Sequence, residues 1–557
     1  MITQTEIGGP ALHRAFDYLL RQWQSGPLHR PLERAGFGAF LLSLCLLSVL
    51  FGPIVQYEYA HDSFIFLDGG WRVLHGQRPQ VDFSTNLGPL IFLFTAAGIA
   101  VMKQGGHALV LAQALLGLMV AALVYPLSVR RLPRVPAVAL STVIVLLALA
   151  PYNVGEFPFL LTYGMIYNRI GYALLGVLLI EATRAAQPGP SAKRDEFIGG
   201  MLTGFICSFL LFLKITFFVF AVILIVALLR YRPQCRQRFA GMAVTSAAFA
   251  LLMLGYLRFD LPALFHEYLM SAGGKHMARL GPLGVVMANV EPTIVLVVLG
   301  CLWGWLVTIV NRDRFPLSRP WAIFISVLVG YGLIITNHQG GGQPLNAFIC
   351  VLIAGEIAVS AWPGWKPSFN VPALLLVIGL CAPLIGFAIP TAIAYSLPAL
   401  EHVIHWAAYS PEMRLAAPAV SDFRSKDTSP RFDRKDDGYQ GNYAIFVNDG
   451  LALLRKYSPP QESVVSLEFS NPFSFSLQRK PPTGGTTCLQ FGVTFDNAHK
   501  LSPDQLFGDA QVVMLPKLFS APLLSDAVAR NYVAPLRAKF RKVAESSQWE
   551  LYRRITD

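Results

Sequence analysis

Charged residues are scarce in this chain: 14% of 557 residues, where a soluble globular protein carries about a quarter. Their place is taken by apolar residues, 54% of the total, gathered in long runs. That composition excludes an ordinary soluble enzyme and a disordered chain, and it implies a membrane protein. The seven cysteines (45, 207, 235, 301, 350, 381 and 488) include no C-x-x-C pair, and five sit in apolar runs. Neither a disulfide framework nor a zinc site is expected. The glycine-rich pieces Gly340-Gly341-Gly342 and Thr483-Gly484-Gly485 match neither a Walker loop nor a dinucleotide fingerprint. ATP-driven transport therefore has no support within the chain, and no internal repeat is visible. The net charge of +12 is no sign of nucleic acid, because the basic residues sit in short clusters between apolar runs, where they set orientation in a bilayer.

Residues 1–35 are polar and carry Arg14, Arg21, Arg30 and Arg34. A signal peptide would begin its apolar core sooner. This segment is expected to be a cytoplasmic lead with an interfacial helix near Leu12–Trp23. The first span is expected over Gly36–Gln56. Ten more follow near 107–129, 135–151, 169–183, 197–213, 215–229, 239–257, 286–310, 320–336, 344–361 and 370–392, each close to the length that crosses about 30 Å of hydrocarbon.

Leu87–Met102 is the ambiguous run. As a span it would turn Arg130, Arg131 and Arg134 outward, against the positive-inside tendency. As a helix on the outer surface, opened by Gly88-Pro89, it leaves every basic cluster inside: Arg130/Arg131/Arg134, Arg184/Lys193/Arg194, Arg230/Arg232/Arg236/Arg238, Arg312/Arg314/Arg319 and Lys366. The same register needs 197–229 to be two spans with an outer turn at Lys214, which also removes a mid-membrane charge.

The expected fold is an all-α polytopic membrane domain of about eleven transmembrane helices plus a small C-terminal α/β extracytoplasmic domain. The domains are 1–35, cytoplasmic; 36–392, transmembrane, with a large outer loop 57–106; and 393–557, periplasmic and soluble. In the last, strands are expected at Tyr443–Val447, Val464–Phe469, Gln511–Leu515 and Trp549–Arg553, helices at Gly450–Tyr457 and Leu523–Ala544, and a flexible stretch over Ser421–Gly441. The protein is placed in the inner (plasma) membrane, N-terminus in the cytoplasm.

The first outer loop holds most of the chemistry. It carries Asp62, Asp68 and Asp82 with His61, His75, Arg72 and Arg78. Carboxylates near the lipid–water boundary are costly unless paired or used. Asp62 is read as a base, as a solvated boundary acid or as an ion-pair partner of Arg72. Asp82 is read as turning back toward Asp62 or as capping the helix near Leu87. Asp68 is read as solvated or structural.

These residues resemble the first periplasmic loop of the GT-C superfamily of membrane glycosyltransferases. The matching parts are Asp62 soon after the first span, the run to Gly76, Pro79 with Asp82-Phe83, and Gly88-Pro89-Leu90. A glycine-rich span ending in lysine (Gly199-Gly200, Gly204, Lys214) and an outer C-terminal part are similar too. His61-Asp62-Ser63 departs from the pattern with its single acid, and Pro79 is followed by Gln-Val rather than an aromatic. The resemblance implies transfer of a sugar from a polyprenyl-phosphate donor to an extracytoplasmic glycan, lipid or protein acceptor, with membrane lipids as surroundings. A divalent metal ion is the one cofactor it allows.

Glycosyl transfer needs a base for the acceptor hydroxyl and cations for the departing lipid phosphate. Asp62 and Asp82 are the catalytic candidates. Arg169, Lys214, Lys275 and Arg279 are candidates for the phosphate, and His338 for substrate. Each also has a plain structural reading: Lys214 as a snorkelling helix-end lysine, His338 as part of a polar turn. A lipid/sugar transporter or flippase, or a non-catalytic GT-C-like scaffold, is the alternative. Against transport, the mid-span charges of a coupling site are missing, and the acids gather at one surface.

Overall fold

The structure is a computed structural model. It describes residues 28, 30–183, 192–229, 236–272, 344–345, 347–352, 371–404, 413–427, 443–520 and 524–555. The expected spans 286–310 and 320–336, most of 344–361, and the N-terminal lead before Leu28 lie outside these residues.

Among the described residues, the apolar part from Pro31 to Ile404 is built of helices. They are α1 (Pro31–Phe51), α2 (Asp62–Leu74), α3 (Pro89–Met102), α4 (Gly105–Arg131), α5 (Arg134–Leu149), α6 (Ile166–Thr183), α7 (Ala192–Leu213), α8 (Ile215–Leu229), α9 (Arg236–Tyr256), α10 (Leu261–Ala272) and α11 (Val371–Ile404). Among the described residues, five helices are long and apolar enough to cross a membrane: α1, α4, α7, α9 and the Cys381–His402 part of α11. The helix α11 runs on past residue 392, where the last span was expected to stop. Its Glu401 carboxylate accepts from Tyr57 Oη at 3.3 Å.

One end of the bundle is defined by ion pairs. Arg131 and Arg238 both grip the fully buried Glu181, at 2.9 and 2.7 Å, and Arg238 also reaches Glu196 at 3.1 Å. Arg134 pairs with Glu33 at 2.8 Å. These residues come from the start of α1, α5, α7 and α9 and the end of α4 and α6, so the described basic clusters share one end. Gly200, Gly204 and Gly241 let α7 and α9 close on each other; a Cβ at Gly200 would stand 2.0 Å from the Arg238 carbonyl oxygen. Small residues permit this approach where lipid supplies no hydrophobic drive between helices.

The helix α3 stays at the other end. Its N-cap Gly88 donates to the Leu213 carbonyl at the end of α7, at 2.9 Å. Near its far end, Gly98 lies against Ala108, close to the start of α4. Both ends of α3 thus sit at the end opposite the Arg131–Glu181 network.

The first helix ends before Gln56. Gly52, at φ +73°, and Pro53 stop it at Phe51. Val55–Gln56 instead becomes β1, paired in parallel with β2 (Arg424–Ser425). The stretch expected to be flexible therefore opens with a strand, and residues 428–442 lie outside the described residues.

Residues 443–555 hold α12 (Tyr443–Tyr457), β3 (Val464–Ser466), α13 (Pro503–Phe507), β4 (Val512–Pro516), a helical stretch from Leu524 to Lys539 with a π turn at Ala529–Val533, β5 (Phe540–Glu545) and β6 (Trp549–Arg554). The sheet order is β3-β4-β6-β5, with β3 and β4 parallel and the other pairs antiparallel. Two sequence expectations are corrected. Tyr443–Val447 is helix, because Tyr443, Val447, Gly450, Leu451 and Leu454 are buried at helical spacing, and that period outweighs local strand propensity. The expected helix Leu523–Ala544 stops at Lys539, because Phe540–Glu545 pairs along β6.

Candidate active site

The connection between α1 and α2 places Asp62. Tyr59, at φ +51°, turns the chain so that Asp62 opens α2. There the helix N-terminus favours the ionised carboxylate. Asp62 Oδ1 lies 3.4 Å from His61 Nε2. The His61 ring stacks edge-on against Phe469, at 4.4 Å between centroids. Gly164 makes room for the Asp62 carboxylate: a Cβ there would stand 3.0 Å from Oδ2.

Around Asp62 opens a cavity of about 310 Å³, the size of a small-ligand site. The start of α2, the loop before α3, the α5–α6 connection, the Lys214 turn and the C-terminal part all contribute to its wall. Arg169 and Lys214 line it together with Asp62, so three of the sequence candidates meet there.

Arg169 is fully buried, and its Nη1 donates to the carbonyls of Tyr152 at 2.7 Å and Gly164 at 3.2 Å. It thereby ties the two ends of the α5–α6 connection. Its Nε and Nη2 make no hydrogen bond. Lys214 occupies the break between α7 and α8, with Nζ 4.7 Å from the centre of the Tyr167 ring. Burial pushes its pKa down to about 7. Two donor-rich side chains thus face a cavity that Glu156 also lines, with Glu58 and Asp427 near it but outside the lining. Glu156 accepts from Tyr59 Oη at 3.3 Å, and Asp427 accepts from the Ala60 amide at 3.1 Å. Burial, and then the charges of Glu156 and Asp427, raise the pKa of Glu58.

Asp82 and Asp68 do other work. Asp82 does not line this cavity. It accepts from Arg78 Nε at 2.8 Å and from the Arg78 amide at 2.7 Å, bracing the turn that the pair encloses. It neither turns back to Asp62 nor caps α3, whose N-cap Gly88 has no side-chain partner. Asp68 is fully buried and accepts from Arg72 Nε at 2.7 Å; burial raises its pKa and Arg72 opposes the rise. Arg72 is thus the partner of Asp68, not of Asp62. Lys275, Arg279 and His338 lie outside the described residues. Among the described residues, no three His, Cys, Asp or Glu side chains are set to hold a metal ion.

Sequence reasoning missed Asn153, Glu156 and Asn168, and the C-terminal wall residues Phe469, Cys488 and Gln490. Isolated amides in a connection carry no spacing signal, and the approach of the C-terminal part is a tertiary contact.

No protein-family model matches the chain, and no curated protein matches it. Among solved structures it is similar to ArnT from Cupriavidus metallidurans in the apo state, at 12% identity and TM-score 0.40, over 93% of this chain and 97% of that one. The same protein bound to undecaprenyl phosphate gives 13% identity and TM-score 0.40 over the same shares. The Archaeoglobus fulgidus oligosaccharyltransferase, in complex with Zn and sulfate, gives 12% identity and TM-score 0.32, over 86% of this chain and 67% of that one. At TM-scores this low neither a function nor a residue role passes from these likenesses to this chain.

Proposed function

We propose that the protein is an integral membrane glycosyltransferase that moves a sugar from a polyprenyl-phosphate donor to an extracytoplasmic acceptor. The observation that carries this reading is the cavity that holds Asp62 together with Arg169 and Lys214. Asp62 takes the proton of the acceptor hydroxyl as its oxygen bonds to the anomeric carbon. The bond from that carbon to the phosphate oxygen breaks, and the lipid phosphate leaves with the electron pair. The unpaired N–H groups of Arg169 and the Lys214 ammonium hold its charge. Lys275, Arg279 and His338 are proposed as further donor or acceptor contacts.

The bundle end with Arg131 and Arg238 faces the cytoplasm in this reading, by the positive-inside tendency. The cavity and residues 443–555 then face the periplasm of an inner membrane. The acceptor is a glycan, a lipid or a protein.

The test is turnover in lipid with a panel of polyprenyl-phosphate sugars, following release of free lipid phosphate. Asp62→Asn is expected to lower the rate by roughly 100- to 10 000-fold, the range of a lost general base. Asp82→Asn, which loosens only the Arg78 turn, is expected to keep most of it. Full activity in Asp62→Asn would remove the base assignment. Consumption of no donor by the wild type would favour a transporter or a scaffold.

A further inference from the structure

Many of the polar groups around the cavity are engaged. Tyr59 donates to Glu156, and Arg169 Nη1 holds two carbonyls. Two amides differ. Asn153 is 5% exposed and Asn168 is 6% exposed, and both line the cavity. Neither amide atom of Asn153 completes a hydrogen bond, and neither does the side-chain oxygen of Asn168. Asn153 bears on the Glu156 carboxyl, opposing the burial that raises its pKa, yet stops short of a hydrogen bond.

Buried amide atoms are rarely left this way, because an unsatisfied donor or acceptor has lost its water without gaining a partner. Their chemistry also narrows what would satisfy them. Arginine and lysine only donate, and an ionised carboxylate only accepts; an amide does both, as a hydroxyl does. Their position in the chain matters too. Asn153 follows Tyr152, whose carbonyl holds Arg169, and its own carbonyl accepts from the Glu156 amide at 3.1 Å. Asn168 directly precedes Arg169. The two amides therefore share a cavity with the guanidinium proposed to hold the phosphate, where a sugar joined to that phosphate would lie.

We infer that Asn153 and Asn168 are specificity-determining residues that read hydroxyl groups of the donor's sugar ring, a neutral polyhydroxylated pyranose or furanose at the positions they contact. The inference rests on the glycosyl-transfer reading, and its test separates the two.

The full chain in lipid nanodiscs would be titrated with undecaprenyl phosphate and with undecaprenyl-phosphate hexoses and pentoses, for wild type, Asn153→Leu and Asn168→Leu. The sugar-bearing lipid that wild type prefers is expected to lose its advantage over the sugar-free lipid by roughly 10-fold or more in each variant. Affinity for undecaprenyl phosphate itself should stay as in wild type, which also reports that the variants fold. A donor lacking the contacted hydroxyl should bind wild type roughly 10-fold or more weakly than the intact donor, a comparison that needs no variant. Variants that keep the full preference, or that lose both lipids alike, would overturn the assignment and leave the amides to ordered water. So would a wild type indifferent to the sugar. A wild type that prefers the sugar-bearing lipid but turns none over would instead overturn the transferase reading alone.

Discussion

Lys214 is the residue on which charge and burial conflict most openly. With its pKa at about 7 instead of the usual 10.5, it sheds its proton in the folded state before it does so in the unfolded chain. Between those values the unfolded chain binds more protons, so this residue's contribution to stability rises with pH across the window. A phosphate in the cavity reverses the preference, because a nearby anion favours the ammonium. Lipid phosphate binding above pH 7 should therefore take up a proton. Calorimetry at pH 8 in buffers of different ionisation enthalpy should show an uptake for wild type that is missing in Lys214→Met, and wild-type affinity should weaken as pH rises from 7 to 9. Equal proton uptake in the two proteins would take Lys214 out of the phosphate site.

Among the elements, α3 decides the shape of the site. Its cap residue Gly88 donates to Leu213, one residue before Lys214. A Cβ at Gly88 would stand 2.0 Å from the Phe212 carbonyl oxygen and 2.9 Å from the Leu213 amide nitrogen. These are backbone atoms and cannot rotate away. Gly88→Ala should force the start of α3 off the end of α7, at a cost of about 1–3 kcal/mol. The Lys214 turn should shift with it. The expected result is a lower Tm together with weaker undecaprenyl phosphate binding, although residue 88 does not line the cavity. A lower Tm with unchanged binding would show that the turn is held by other contacts. The neighbouring α4 depends on a distant residue in a similar way: Asp422 accepts from the Gly106 amide at 3.0 Å and the His107 amide at 2.7 Å, and so caps that helix from across the chain.

In the molecule as a whole, the first loop and the C-terminal part form one structure. Arg72 donates to Asp68, and also to the carbonyls of Pro482 and Gly484, each at 2.8 Å. Trp71 donates to the Arg479 carbonyl at 2.8 Å, and Ser470 to the His61 carbonyl at 2.8 Å. The Ser84 amide donates to the Gly485 carbonyl at 2.9 Å. The C-terminal part thus backs the helix that carries Asp62 and supplies part of the cavity wall. Arg72→Ala would leave Asp68 buried without its cation, which costs about 3–5 kcal/mol. Thermal unfolding should fall accordingly, and proteolysis of residues 443–555 should quicken in the same variant. A variant as stable as wild type would mean that the loop and the C-terminal part hold together without this pair.

Much of this was legible along the chain. Apolar runs and clustered arginines determine the membrane helices and which ends share a face, because hydrocarbon tolerates neither unpaired backbone nor charge. The same pattern kept α3 at one end of the bundle. Asp62, Arg169 and Lys214 stood out as charges beside apolar runs, where a charge needs a reason. Tertiary structure alone decided what each carboxylate of the first loop does: Asp62 opens a helix onto a cavity, Asp68 is taken by Arg72, and Asp82 by Arg78. It also brought Asn153, Asn168 and Phe469 to the same wall. Charge and hydropathy act over neighbouring residues and can be read in order, whereas which side chain satisfies which depends on contacts across more than 400 positions, as between Arg72 and Gly484.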